Sequence, residues 1–173
     1  KPLRSVEVGI VREERNRMVG DCRLSVGEVT VTEHCSSYRV MLYDAIISVE
    51  PLSLPPVTFT TRALWFVASP RVSTDIEGRM LDFGGGLHGA EHALIAVMPF
   101  HVMCDRRDIG GFSSPAFPGS GEPTVIIYDG FPGGIGLAEN AFSKFEEIVG
   151  MTTDLVRDCR CETGCPSCIY SPK

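Results

Sequence analysis

The sequence predicts an α+β fold: an antiparallel, strand-rich N-terminal half, then helices around one central strand, ending in a metal-binding tail. Three observations carry this. Apolar and polar residues alternate in short runs through the first third of the chain. The apolar spacing changes to a helical one after a run of glycines, Gly84 to Gly86. Four of the seven cysteines fall between Cys159 and Cys168.

The alternating runs are Val6 to Val11, Leu24 to Val31 and Tyr38 to Tyr43. His34-Cys-Ser-Ser37 supplies turn residues between the second and third. Pro51 to Pro56 interrupts the pattern as a loop, and a further strand runs from Val57 to Phe66. Regular spacing with local turns implies a meander or a partly open barrel. In the second half, Leu87 to Val97 reads as an apolar helix closed by Pro99. Gly110 to Pro123 reads as a loop, and Thr124 to Tyr128 as a strand without a charge. Asp129 to Gly134 reads as a tight turn, Ile135 to Val149 as an amphipathic helix, and Thr152 to Arg157 as a short one. The 173 residues suit a single domain: a strand-rich part over 1–70, a helical part over 71–158 and a zinc-binding tail over 159–173.

Composition narrows the function classes. Hydrophobic residues at 43% and charged residues at 22% match a soluble globular protein with a sizeable core. No apolar stretch suits a membrane helix and no signal-peptide pattern opens the chain, so the expected location is cytoplasmic, away from membranes. The first residue is Lys1 and the chain stops at Ser-Pro-Lys173, which predicts a C-terminal fragment of a larger protein. A net charge of −6 opposes an independent grip on duplex nucleic acid, unless positive charge is segregated into a patch such as Arg106-Arg107.

The cysteine cluster is the sharpest chemical signal. Cys159, Cys161, Cys165 and Cys168 are spaced C-x-C-x3-C-x2-C, and four thiolates this close repel one another without a cation. Gly164 and Pro166 favour the turn that wraps a chelating pair round one metal. The expected ion is a single structural Zn²⁺, with an iron–sulfur cluster as the alternative. Cys22, Cys35 and Cys104 read as small buried hydrophobes.

Other motifs are shorter. His88-Gly-Ala-Glu91-His92 fits H-x-x-E-H, which on a helix sets two histidines on one face with a carboxylate beside them. It admits a zinc hydrolase; the plainer reading is a polar cluster, or an interface, against Asp105 or Arg106. Arg106 and Arg107 can pair with Asp105 and Asp108 of their own turn, or touch a phosphate. Gly84, Gly86 and Gly89 match G-x-G-x-x-G without a convincing strand before them, so the dinucleotide reading is weak. The strand, glycine turn and helix around Asp129 could present N–H groups to an anion, although a tight structural turn explains them as well.

Taken in order, four motifs resemble one family. They are H-G-x-E-H-A-L from His88, C-D-R-R-D-I-G-G from Cys104, I-Y-D-G-F-P-G-G-I-G-L from Ile127, and C-x-C-x3-C-P-S-C-x2-S-P-K from Cys159. Their combination resembles the MrfA zinc-binding (MZB) domain, clearly over Leu87 to Lys173 and more loosely before. The resemblance implies zinc ligation by Cys159, Cys161, Cys165 and Cys168. It implies a C-terminal accessory domain of a DEAD/DEAH-box helicase that unwinds DNA 3′→5′ in repair, with a helicase-associated phage-defence complex as the alternative. The implied partners are helicase core domains, of the same or a partner chain, and DNA through the parent protein. No Walker A loop or D-E-x-H motif occurs here, so ATP and Mg²⁺ chemistry belongs to the core and none is expected of this segment. Members usually continue past S-P-K with another cysteine, which implies further cover for the zinc arm.

Overall fold

The computed structural model describes residues 2–170; Lys1 and the S-P-K end of the fourth motif lie outside the described residues. Among these, β1 (Pro2–Val19), β2 (Cys22–Leu42), β3 (Ala45–Pro51) and β4 (Val57–Val67) come first. Then follow α1 (Pro70–Gly78), α2 (Phe83–Val102), a 3₁₀ turn (Arg106–Asp108), β5 (Ile109–Ser114), β6 (Thr124–Asp129), α3 (Leu137–Ser143) and α4 (Phe145–Asp158). The α+β class holds. All pairings are antiparallel, in the order β1-β2-β4-β6-β5, with β3 on the far end of β2.

Alternation explains why the sheet is buried on both sides at its centre. Leu24 and Val26 of β2, Leu64 of β4, and Val125 and Ile127 of β6 face the helices. Their odd or even neighbours Val29, Val31, Ala63, Trp65, Ile126 and Tyr128 build a second core on the opposite face. The sheet curls until β1 approaches β5 without pairing, which leaves an open seam beside α2. This is the partly open barrel the spacing implies.

Several boundaries differ from the sequence reading, each for a local reason. The expected turn at His34 to Ser37 is continuous strand. The register slips there, with Leu3 opposite Ser37 but Arg4 opposite Cys35, so Ser36 is a bulge whose carbonyl accepts from Leu52 N. The real hairpin turns are at Gly20-Asp21 and Tyr43-Asp44, where Gly20 and Tyr43 take φ of 56° and 52°. The C-terminal half also carries β5 beside the expected strand, within the segment read as a loop. Two glycines hid it, and packing requires both. A Cβ on Gly110 would lie 2.3 Å from the Tyr128 ring, and one on Gly111 would lie 2.7 Å from Glu91 and Ile95.

α2 begins before its glycines, because the Asp82 carboxylate caps Gly85 N at 3.0 Å and Phe83 is buried. It also runs one turn past Pro99, where only the ladder bond to the previous turn is lost. The long helix read from Ile135 breaks at Lys144, whose Nζ donates to the His101 carbonyl at the end of α2 at 2.8 Å. No helix among the described residues is long and apolar enough to cross a membrane.

Candidate metal centre

α4 ends at Asp158, and the chain then folds back on itself in one compact turn. Gly164 takes φ 91°, a conformation that L side chains rarely adopt. Cys168 N donates to the Cys165 carbonyl at 3.0 Å, and Tyr170 N to the same oxygen at 3.1 Å. Cys165 N meanwhile reaches the Cys168 sulfur at 3.3 Å. Ile169 lies over Gly89 of α2 and against Gly164, which anchors the turn to the body of the fold.

The four sulfurs converge. Cys159 Sγ is 3.4 Å from Cys161 and 3.5 Å from Cys165; Cys168 Sγ is 3.5 Å from Cys161 and 3.7 Å from Cys165. None forms a disulfide. Four Zn–S bonds of about 2.3 Å in a regular tetrahedron set sulfurs about 3.8 Å apart, so the donor set fits one zinc ion closely. Without a cation the thiols titrate apart. Backbone donation from Ser167 and the neighbouring thiols bring Cys165 down to about 7, while hydrogen bonding with Cys159 and Cys168 pushes Cys161 up to about 12. A bound divalent cation removes that conflict by favouring all four thiolates.

The other candidate residues do not form one cluster; they occupy three places. His88, Glu91 and His92 share a face of α2, with ligand atoms within 4.8 Å of one another. Glu91 is buried, and its carboxylate accepts from Ser113 Oγ at 2.6 Å and meets His88 Nδ1 at 3.0 Å. Its partners are therefore on β5 and its own helix, rather than Asp105 or Arg106. The group ties α2 to β5.

Asp105 and Asp108 close a reciprocal capping box around the 3₁₀ turn, and Arg107 Nε pairs with Asp105 at 3.2 Å. That much matches the local pairing expected of this turn.

Asp129 sits elsewhere, fully buried at the end of β6. Its carboxylate accepts from the N–H groups of Ile135, Gly136, Leu137 and Ala138 at 2.7 to 3.2 Å. The chain thus fills the start of α3 with an anion of its own. Gly133, Gly134 and Gly136, all at positive φ, bend the chain to let it do so. Thr61 Oγ1 locks the loop further by donating to the Asp129 and Phe131 carbonyls. Sequence reasoning missed Ser113 and Thr61, because neither lies in a motif and both act across strands.

A model of the MrfA Zn-binding domain matches residues 90–169. An uncharacterized protein of Methanocaldococcus jannaschii is 37% identical over half of this chain and 80% of its own length. An uncharacterized ATP-dependent helicase of Bacillus subtilis, YprA, is 30% identical over 95% of this chain but only 22% of its own length. Among solved structures, the helicase MrfA bound to DNA superposes with a TM-score of 0.72 at 28% identity, over 99% of this chain and 23% of that one. The chain thus spans less than a quarter of the helicases it matches.

Proposed function

The chain belongs to the MrfA Zn-binding domain family, and on that footing we propose that it is the zinc-stapled accessory domain of an ATP-dependent DNA helicase that acts in repair. The observation that carries this reading is the extent of the likeness. Nearly all of this chain aligns with one part of a helicase whose solved structure contains DNA. The ATP and Mg²⁺ chemistry lies in helicase core domains, of the same chain or a partner. This domain packs against that core.

Cys159, Cys161, Cys165 and Cys168 hold one zinc ion. The ion supplies a cross-link and no reaction, because four protein sulfurs leave it no open position. It fixes a tail of about a dozen residues, too short to build a core of its own. A surface suited to packing lies on the β2–β3 hairpin, which exposes Leu42, Tyr43, Ile46, Ile47 and Val49.

Two measurements test the proposal. Elemental analysis should find one zinc per colourless chain; a brown protein with visible absorption would replace zinc by an iron–sulfur cluster. The reading frame around this segment, or a pull-down with it, should yield helicase core motifs. Their absence from both would remove the accessory role.

A further inference from the structure

The seam between β1 and β5 opens into a cavity of about 810 Å³, in the range of about 300–1,000 Å³ typical of ligand sites. Four of the chain's 16 basic Lys/Arg residues line it: Arg4, Arg39, Arg106 and Arg107. This is the segregation of positive charge that a net charge of −6 otherwise argues against.

The carboxylates beside Arg4, Arg106 and Arg107 do not cancel it. Glu33 is 3.8 Å from Arg4 and Asp105 is 3.2 Å from Arg107, both in exposed pairs of little strength. Asp108 is engaged by Asp105 N, and Glu91 is enclosed behind Gly111 by Ser113 and His88. Arg106, half-buried in the wall, has no carboxylate partner among the described residues.

The rest of the lining is of a different kind. Leu3, Val6, Ile95 and Ile109 make the walls apolar, and the nearly buried Tyr128 ring fills the space where Gly110 lacks a side chain. Burial and the Glu33 and Glu91 carboxylates push the Tyr128 hydroxyl up to about 12, so it stays a neutral donor. Guanidinium groups beside apolar surface suit a ligand that is both anionic and flat-faced. Single-stranded nucleic acid has that chemistry, with phosphates for the arginines and bases for the apolar face. Duplex DNA keeps its bases stacked inside and offers no such face.

We propose that this cavity binds one DNA strand directly, its phosphates on Arg39 and Arg106 and a base against the apolar wall of Leu3, Val6 and Ile95. The choice of DNA rests on the helicase reading above; the charge and shape of the cavity do not. The probe is a fluorescent oligothymidylate of about a dozen nucleotides, titrated by anisotropy into the zinc-loaded chain between about 20 and 200 mM salt.

Wild type should bind at low salt. Arg39→Ala and Arg106→Ala should each weaken binding about five- to tenfold, and each should lower the slope of log K against log salt by about 0.7. Arg79→Ala and Arg157→Ala, outside the cavity, should leave both quantities unchanged. Zinc content and melting temperature, read on every variant, separate lost contacts from lost folding.

Three results would overturn the site: no salt-sensitive binding by wild type, equal losses in the control variants, or equal competition by duplex DNA or polyglutamate. If no helicase core is found yet the arginine dependence holds, the helicase reading fails and the site stands. If helicase unwinding needs this chain but Arg39→Ala and Arg106→Ala bind normally, the reverse is true.

Discussion

The chain gathers ligand-type side chains in two places, and they are held together by opposite means. In the tail, four sulfurs converge within 4.8 Å of one another, four of their pairs at 3.4 to 3.7 Å. On α2, His88, Glu91 and His92 come nearly as close, but the buried carboxylate already accepts from Ser113 and meets His88. Convergence alone therefore does not identify a metal site. A set whose charges repel when ionised without a metal asks for a cation, whereas a buried carboxylate already held by a hydroxyl and an imidazole acts as a strut. The two sites sit at the ends of one short path, since Ile169 of the tail lies over Gly89, next to His88.

The largest expected effect is in the tail. Cys168→Ser removes the most buried of the four sulfurs. Zinc sites of this kind contribute on the order of 10 kcal/mol to the folding of small metal-stabilised units. Zinc stoichiometry should fall well below one, and amide exchange should accelerate across Cys165 to Tyr170 while the β2, β4 and β6 amides stay protected. Collapse of the sheet along with the tail would show that the zinc turn organises the whole fold, and the contrast between local clip and self-sufficient core would fail.

Next comes the strut. Glu91→Ala leaves a void and strands the Ser113 hydroxyl, at a cost of about 2–4 kcal/mol in thermal or denaturant unfolding. Glu91→Gln keeps the shape and should cost about half as much. Neither should change the zinc content. A drop from two bound metals to one in Glu91→Gln would convert the strut into a second metal site.

The same contrast explains what the sequence made legible. The cysteine tail could be read because thiolate chelation uses neighbours in the chain, so its logic is local. β6 and the end of β4, Ala63 to Val67, could be read because burial on both faces leaves an apolar run there. What stayed hidden depends on partners far away in sequence. β5 looked like a loop because Gly110 and Gly111 answer to Tyr128 and Glu91. The bulge at Ser36 looked like a turn because polar residues serve both purposes. The Asp129 turn was legible as a tight structural turn that could also present N–H groups to an anion, but not that Asp129 itself is the anion that closes it. The cavity arginines come from β1, β2 and the 3₁₀ turn, and only the closed fold brings them together.

The smallest effects test the path between the two sites. Ile169 is half-buried, and truncating it removes the contact that lays the tail on α2 without touching a sulfur. Ile169→Ala should cost only about 1 kcal/mol and retain full zinc, because a half-buried side chain yields a fraction of the core value. Limited proteolysis should nonetheless cut the tail faster, since the metal holds the turn together but not in place. Gly89→Ala should act in the opposite sense. A Cβ there would sit 3.8 Å from Ile169, an ordinary contact, and alanine in a helix is favoured over glycine by up to about 1 kcal/mol. A raised melting temperature with slower tail cleavage is the expected pair of readings. A destabilised Gly89→Ala variant would mean that the tail needs closer approach to α2 than this packing allows.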